Sequence, residues 1–326
     1  MILDTDRVVG SFARHETFHP RYGWLRKAFE GAKLGPDTFS QQDATVKLGV
    51  GKNMVNAIRY WGVAFDLLDE VRLPGRGRLT SLVPSALADA LFDDAGWDPY
   101  LEDPASLWLL HWRLLRPKCF APVWWLAFNA FDAVQFTEEQ LLHVVDEHVD
   151  STPEWTRIAP GSIKKDVDCV LRMYAPARSR GRDAFEDLLD CPFRELGLIE
   201  PVPDEARSYR WVYGAKPTLA PAVVAHAAVD FARREGGSST ISLTSLATTV
   251  GGPGRAFKLP EAALFESLAA AAEDVEEIKV TSPGGIRQLA VLSEDPGLPN
   301  RILEAYYRRT AGSRRRITDR PVSAGP

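Results

Sequence analysis

Between residues 43 and 61 the apolar and polar positions fall in the pattern of two short helices parted by glycine. Ala44, Val46 and Leu48 predict the first helix, Gly49, Val50 and Gly51 a turn, and Lys52 onward a longer second helix. A short glycine-bearing turn sets two helices at a steep angle, which is the helix-turn-helix layout. On the second helix Val55, Ile58, Gly62 and Phe65 recur at helical spacing and are expected in the core. Lys52, Asn53, Asn56, Arg59 and Tyr60 are expected on the opposite face.

Glycine and proline divide the rest of the chain into blocks at 1–101, 102–235 and 236–311, with a basic, then Pro-rich tail at 312–326 that reads as mobile. In the first block LPGRGRLTSLVP reads as a hairpin or wing after the two helices. The middle block reads as a helical bundle, with helices over 106–116, over 137–149 behind a Thr137/Gln140 capping box, and from Ser162 as N-cap to 174. Residues 121–130 are apolar, with two tryptophans, too short for a membrane span of roughly 20 residues, and read as a buried helix. In the last block, helices over 243–250 and 259–272 precede strands over 275–281 and 286–292, which flank a Ser282-Pro283-Gly284-Gly285 turn. The expected fold is thus mainly α: an N-terminal winged helix-turn-helix, a central helical bundle and a C-terminal winged-helix-like α+β module.

Composition narrows the function only a little. The 326 residues carry a formal net charge of -5, so contact with nucleic acid has to come from local groups of Lys and Arg. Cys119, Cys169 and Cys191 lack the spacing of a zinc site or disulfide framework, which suits a reducing cytoplasm. The first residues show no signal peptide, and GVGKN lacks the offset glycine and the Ser/Thr of a phosphate loop.

The outer face of the second helix carries side chains suited to DNA. Asn pairs with adenine, Arg with guanine and Lys with phosphate. Lys47, Lys52, Asn53, Asn56, Arg59 and Tyr60 are the candidates, with Arg76 and Arg78 at the wing tip. The alternative is a helical hairpin with a solvated polar face. Arg255 and Lys258 in the last block could meet phosphate or a partner protein, against an equally weighted structural role.

For chemistry the densest cluster is FARHETFHPRYGWLRKAF. A histidine beside a carboxylate can act as general base or metal ligand in phosphodiester hydrolysis, and a cation can stabilise the phosphate. Arg14, His15, Glu16 and Arg21 are the catalytic candidates, against a structural alternative in which the segment caps the first block. Asp166 and Asp168, two apart on a helix, point in different directions and do not form a metal pair.

The motifs FARHETFHPRYGW, LGVGKNMVNAIRYWG, SIKKDVDCVLRMY, EDLLDCPFRELGLI and YGAKPTLAP occur in the order of the SspB-like family, a bacterial family of domains of unknown function that this chain resembles from about Phe12 to Leu303. It departs from the pattern at His19, where an apolar residue or proline is expected. The resemblance implies a component of single-strand DNA phosphorothioation and antiphage defence that nicks double-stranded DNA with Mg or Mn. It also implies an SspC-like ATPase and an SspD-like sulfur-transfer protein as partners; a cytoplasmic, nucleoid-associated location is expected, and the winged-helix reading leaves scope for a homodimer on symmetric DNA. Two other readings remain open: a non-enzymatic DNA-binding adaptor and a transcriptional regulator.

Overall fold

A computed structural model of the chain describes residues 6–72, 80–155, 157–176, 191–235 and 239–318. In the first block α1 (Trp24–Leu34) buries Trp24, Leu25, Ala28 and Phe29 and packs on α3 (Lys52–Ala64). The two helices meet at Gly62, where an added Cβ would lie 2.6 Å from Leu68 and 3.0 Å from Ala28. Only a residue without a side chain permits that approach. Between them runs the short α2 (Ala44–Leu48), and after them the antiparallel strands β1 (Leu68–Arg72) and β2 (Thr80–Pro84), then α4 (Ala86–Phe92). Arg76 and Arg78 lie outside the described residues.

The middle block holds α5 (Pro104–Leu114), α6 (Pro122–Asn129), α7 (Glu138–Asp150), α8 (Pro160–Tyr174) and α9 (Pro221–Arg234). Every residue of α6 is buried, as its unbroken apolar run requires. Thr137 and Gln140 form the expected capping box at α7. At α8 the expectation of a Ser162 cap is corrected: the helix begins at Pro160, whose fixed φ suits a first helical position, and Ala159 precedes it without a side-chain cap. The block is also more than a helical bundle. It contains a three-stranded antiparallel sheet, β3 (Gln135–Thr137), β4 (Ile199–Pro201) and β5 (Ser208–Trp211), in the order β3-β5-β4. Strands this short hold one or two alternations, too few to stand out from loop sequence.

The last block repeats that plan: β6 (Thr240–Ser242), α10 (Leu243–Thr248), α11 (Pro253–Phe257), α12 (Glu261–Asp274), β7 (Ile278–Thr281) and β8 (Gln288–Val291), in the sheet order β6-β8-β7. The turn at Ser282 to Gly285 is present, with Gly284 and Gly285 at φ 60 and 85. Three helices stand where two were expected, because Pro253 opens a separate turn inside the first loop. The final helix, α13 (Leu298–Thr318), extends seven residues into the stretch read as a mobile tail. Buried apolar side chains from Val8 to Tyr307 form one contiguous cluster that runs through all three blocks. No helix among the described residues is long and apolar enough to cross a membrane.

Candidate nucleic-acid interface

The turn between α2 and α3 depends on Gly49, which holds a left-handed conformation at φ 64. A side chain there is unfavourable, so glycine sets the angle between the helices. Lys27 on α1 donates to the Leu48 carbonyl at 2.9 Å and ties down the end of α2. Val55, Ile58, Gly62 and Phe65 are buried as expected, while Lys52, Asn53, Asn56 and Arg59 are exposed on the other side. Lys47 is exposed and paired with Asp43 at 3.0 Å, and Arg59 lies 3.8 Å from Glu70. Tyr60 is a correction to the expected outer face. It is buried, and its hydroxyl donates to the Phe120 carbonyl at 3.2 Å, because the segment before α6 and the His15 ring cover the edge of α3 that a lone helix would leave open.

Beside α3 runs the aromatic-rich segment before α1. Ala13, Glu16 and Thr17 take left-handed φ angles of 52, 51 and 68. Non-glycine residues there cost of order 1–3 kcal/mol each and persist only when their surroundings hold them. Asp166 on α8 does the holding: it accepts the Ala13 amide through both carboxylate oxygens at 2.9 and 3.1 Å and lies 2.5 Å from His15 Nε2. Burial pushes the Asp166 carboxyl up from its usual range, while the His15 bond acts in the opposite direction. His15 is fully buried between Trp61, Tyr60 and Trp124, with ring centroids 5.6–5.9 Å away. It is therefore a core group, out of reach of a substrate in this conformation.

At the surface the same segment meets two helices. Asn56 on α3 donates to Glu16 at 3.1 Å, and Arg172 on α8 donates to the Thr17 carbonyl at 2.7 Å. Arg14 is exposed, and Arg21 lies half-buried over the rings of Phe18 and Trp24. The structure thus brings Glu16 to Asn56 and Thr17 to Arg172 while it separates His15 from solvent. Sequence reasoning did not connect Asp166 or Arg172 to this segment, since each joins it across more than 150 residues.

Arg255 and Lys258, the other basic candidates, are structural. Arg255 binds Asp132 at 2.8 Å and the Asn129 and Thr248 carbonyls at 2.7 Å. Lys258 is buried with Nζ 4.1 Å from the Trp211 ring centroid and 3.0 Å from the Phe128 carbonyl, and burial pulls its amine down to about 7. A cleft of about 640 Å³ between α4, α5 and α13 includes Asp66, Asp69, Asp89, Asp93 and Glu304 against Arg113. Its sign repels phosphate, so the cleft is no route for DNA.

Among the described residues no group of three or more His, Cys, Asp and Glu side chains could hold a metal. Glu138 at the start of α7 lies beside Asp168 on α8, and burial together with the negative charge of Asp168 raises the Glu138 carboxyl. Two carboxylates match in number and type what the protein contributes to an open Mg²⁺ site completed by water and phosphate.

Residues 12–307 match the protein family of unknown function DUF4007. Two solved structures are similar over 98% of this chain and 92% of theirs, both at 40% identity: an SspB crystal structure with a TM-score of 0.86, and a magnesium ion-bound SspB with a TM-score of 0.87. Among curated proteins none matches. The expected family resemblance holds, in sequence and fold alike, over nearly the whole length, and the chain belongs to the DUF4007 family with SspB.

Proposed function

We propose that this chain is a DNA-binding component of a phosphorothioate modification and defence system, which docks on duplex DNA through the outer face of α3 and nicks one strand beside it. The observation that carries the docking is the exposure of Lys52, Asn53, Asn56 and Arg59 together on a helix whose other face is buried. Donors of this kind read base edges and phosphates when a helix enters the major groove. We take α2, α3 and the β1–β2 hairpin as a winged helix, and Lys47 as a flanking phosphate contact.

Nicking rests on the segment from Ala13 to Thr17. Arg14, which is exposed, would meet a phosphate, and Glu16, half-exposed beside Asn56, would serve as the carboxylate for proton transfer. His15 serves as a positioning residue that locks the segment through Asp166. Glu138 and Asp168 would hold the divalent ion, which supplies positive charge at the scissile phosphate when bound. The adaptor reading has its own support, since the side chains on the outer face of α3 suit DNA docking without requiring any chemistry nearby.

Purified protein with supercoiled plasmid and magnesium or manganese decides between the two. Nicking that disappears in Glu16→Ala and Glu138→Gln while duplex affinity persists supports the enzyme. Intact plasmid, with binding that still weakens in Arg59→Ala and Asn56→Ala, leaves the adaptor. No salt-sensitive binding at all removes both. An ATPase and a sulfur-transfer protein are the partners this pathway requires.

A further inference from the structure

We infer that α8 is a second DNA-contacting element, which lays Lys164, Lys165 and Arg172 along the phosphate backbone beside the groove occupied by α3; this rests on the docking reading above. The three cations are exposed and recur at positions 164, 165 and 172, one stripe of the helix about 12 Å long. Asp168 lies among them on the same face, half-buried and beside Glu138, so it offsets part of their charge and leaves three exposed cations against one half-buried carboxylate on this helix face.

The stripe is aligned with α3 through the segment before α1. Glu16 and Thr17 are neighbours in the chain; Asn56 of α3 holds the first and Arg172 of α8 holds the second. The exposed ends of the two helices therefore sit one residue apart on a shared loop. The buried Asp166, between the lysines and Arg172 on α8, holds Ala13 and His15 from beneath. These bonds join both helices and the loop into one continuous surface.

The repeated plan of the middle and last blocks supplies an internal comparison. In each, one helix is the last described α-helix before the closing hairpin: α8 in the middle block and α12 in the last. α8 exposes Lys164, Lys165 and Arg172; α12 has no Lys or Arg and exposes Glu266, Glu273 and Asp274. The two helices thus expose opposite charge, and α8 is the one whose Arg172 reaches the loop that is bonded to α3. Each phosphate that a protein neutralises releases condensed counterion, so a contact shows up in the salt dependence of binding.

The test is the salt dependence of binding to a labelled duplex longer than two helical turns, measured for Lys164→Gln/Lys165→Gln, for Arg59→Ala and for Glu266→Gln on α12. The lysine substitutions lie on the surface, and an unchanged melting temperature confirms that the fold is intact. The expected result is a log–log slope reduced by roughly 0.9 per lysine, with Glu266→Gln at the wild-type slope. A lysine variant with wild-type affinity and slope, alongside a weakened Arg59→Ala, overturns the role of α8 and leaves the α3 docking in place. Wild-type behaviour in both variants overturns the α3 reading as well.

Discussion

His15 Nε2 and Asp166 Oδ1 lie 2.5 Å apart in the core, joined across 151 positions of the chain. Asp166 also takes the Ala13 amide, so one carboxylate sets both the histidine ring and the strained backbone around it. Removing one partner of a buried polar pair leaves the other without compensation, at about 3–5 kcal/mol. Asp166→Ala is expected to lower stability by that order in urea unfolding. It should also release the loop from Ala13 to Thr17, seen as faster amide exchange at those residues while α12 keeps its protection.

Tyr60 separates a core role from a DNA role. Its hydroxyl bonds to the Phe120 carbonyl inside the protein, so Tyr60→Phe is expected to cost about 1 kcal/mol of stability and to leave duplex affinity unchanged. Asn56→Ala, one turn earlier on the exposed face, should do the reverse. A loss of affinity in Tyr60→Phe at temperatures well below unfolding would show that the ring reaches DNA after all.

Two glycines should respond to alanine for different reasons. At Gly62 the new methyl meets Leu68 Cδ1 at 2.6 Å and Ala28 Cβ at 3.0 Å, an overpacking expected to cost about 1–3 kcal/mol and to shift α3 against α1. At Gly49 nothing lies within 4 Å of the added atom, and the cost is that of a left-handed conformation, about 1 kcal/mol. Gly49→Ala should melt earlier yet bind DNA near the wild-type level. Gly62→Ala should lose both stability and affinity.

Acid should destabilise the fold through two core histidines. His111 donates to the Ala256 carbonyl and accepts from Tyr174, and His226 donates to the Pro299 carbonyl. Burial pulls both down from 6.5 to about 4. With the folded value depressed, the stability each contributes is complete above pH 6.5 and is lost as the pH falls toward 4, by about 3 kcal/mol per histidine across the window. Urea midpoints measured across that range should fall steeply for the wild type and less so for His226→Gln. An equal slope in the two proteins would assign the acid sensitivity to other groups.

What the sequence determined by itself was local. The glycine turn at Gly49, the buried and exposed faces of α3 at Val55, Ile58, Asn56 and Arg59, the Thr137 cap and the Ser282 to Gly285 turn are set by residues a few positions apart. Backbone geometry and helical period suffice to read them. The family motifs were legible too, because they are runs of adjacent residues. Only the tertiary structure decided that Tyr60 and Lys258 turn inward, that three- and four-residue strands join into sheets, and that Asp166 closes on His15. The free energy of each of these depends on what another part of the chain brings into contact: the Phe120 carbonyl at Tyr60, a ring under Lys258, a carboxylate below Ala13. Such partners leave no mark in the residues on either side, so burial and long-range pairing became visible only once the chain was packed.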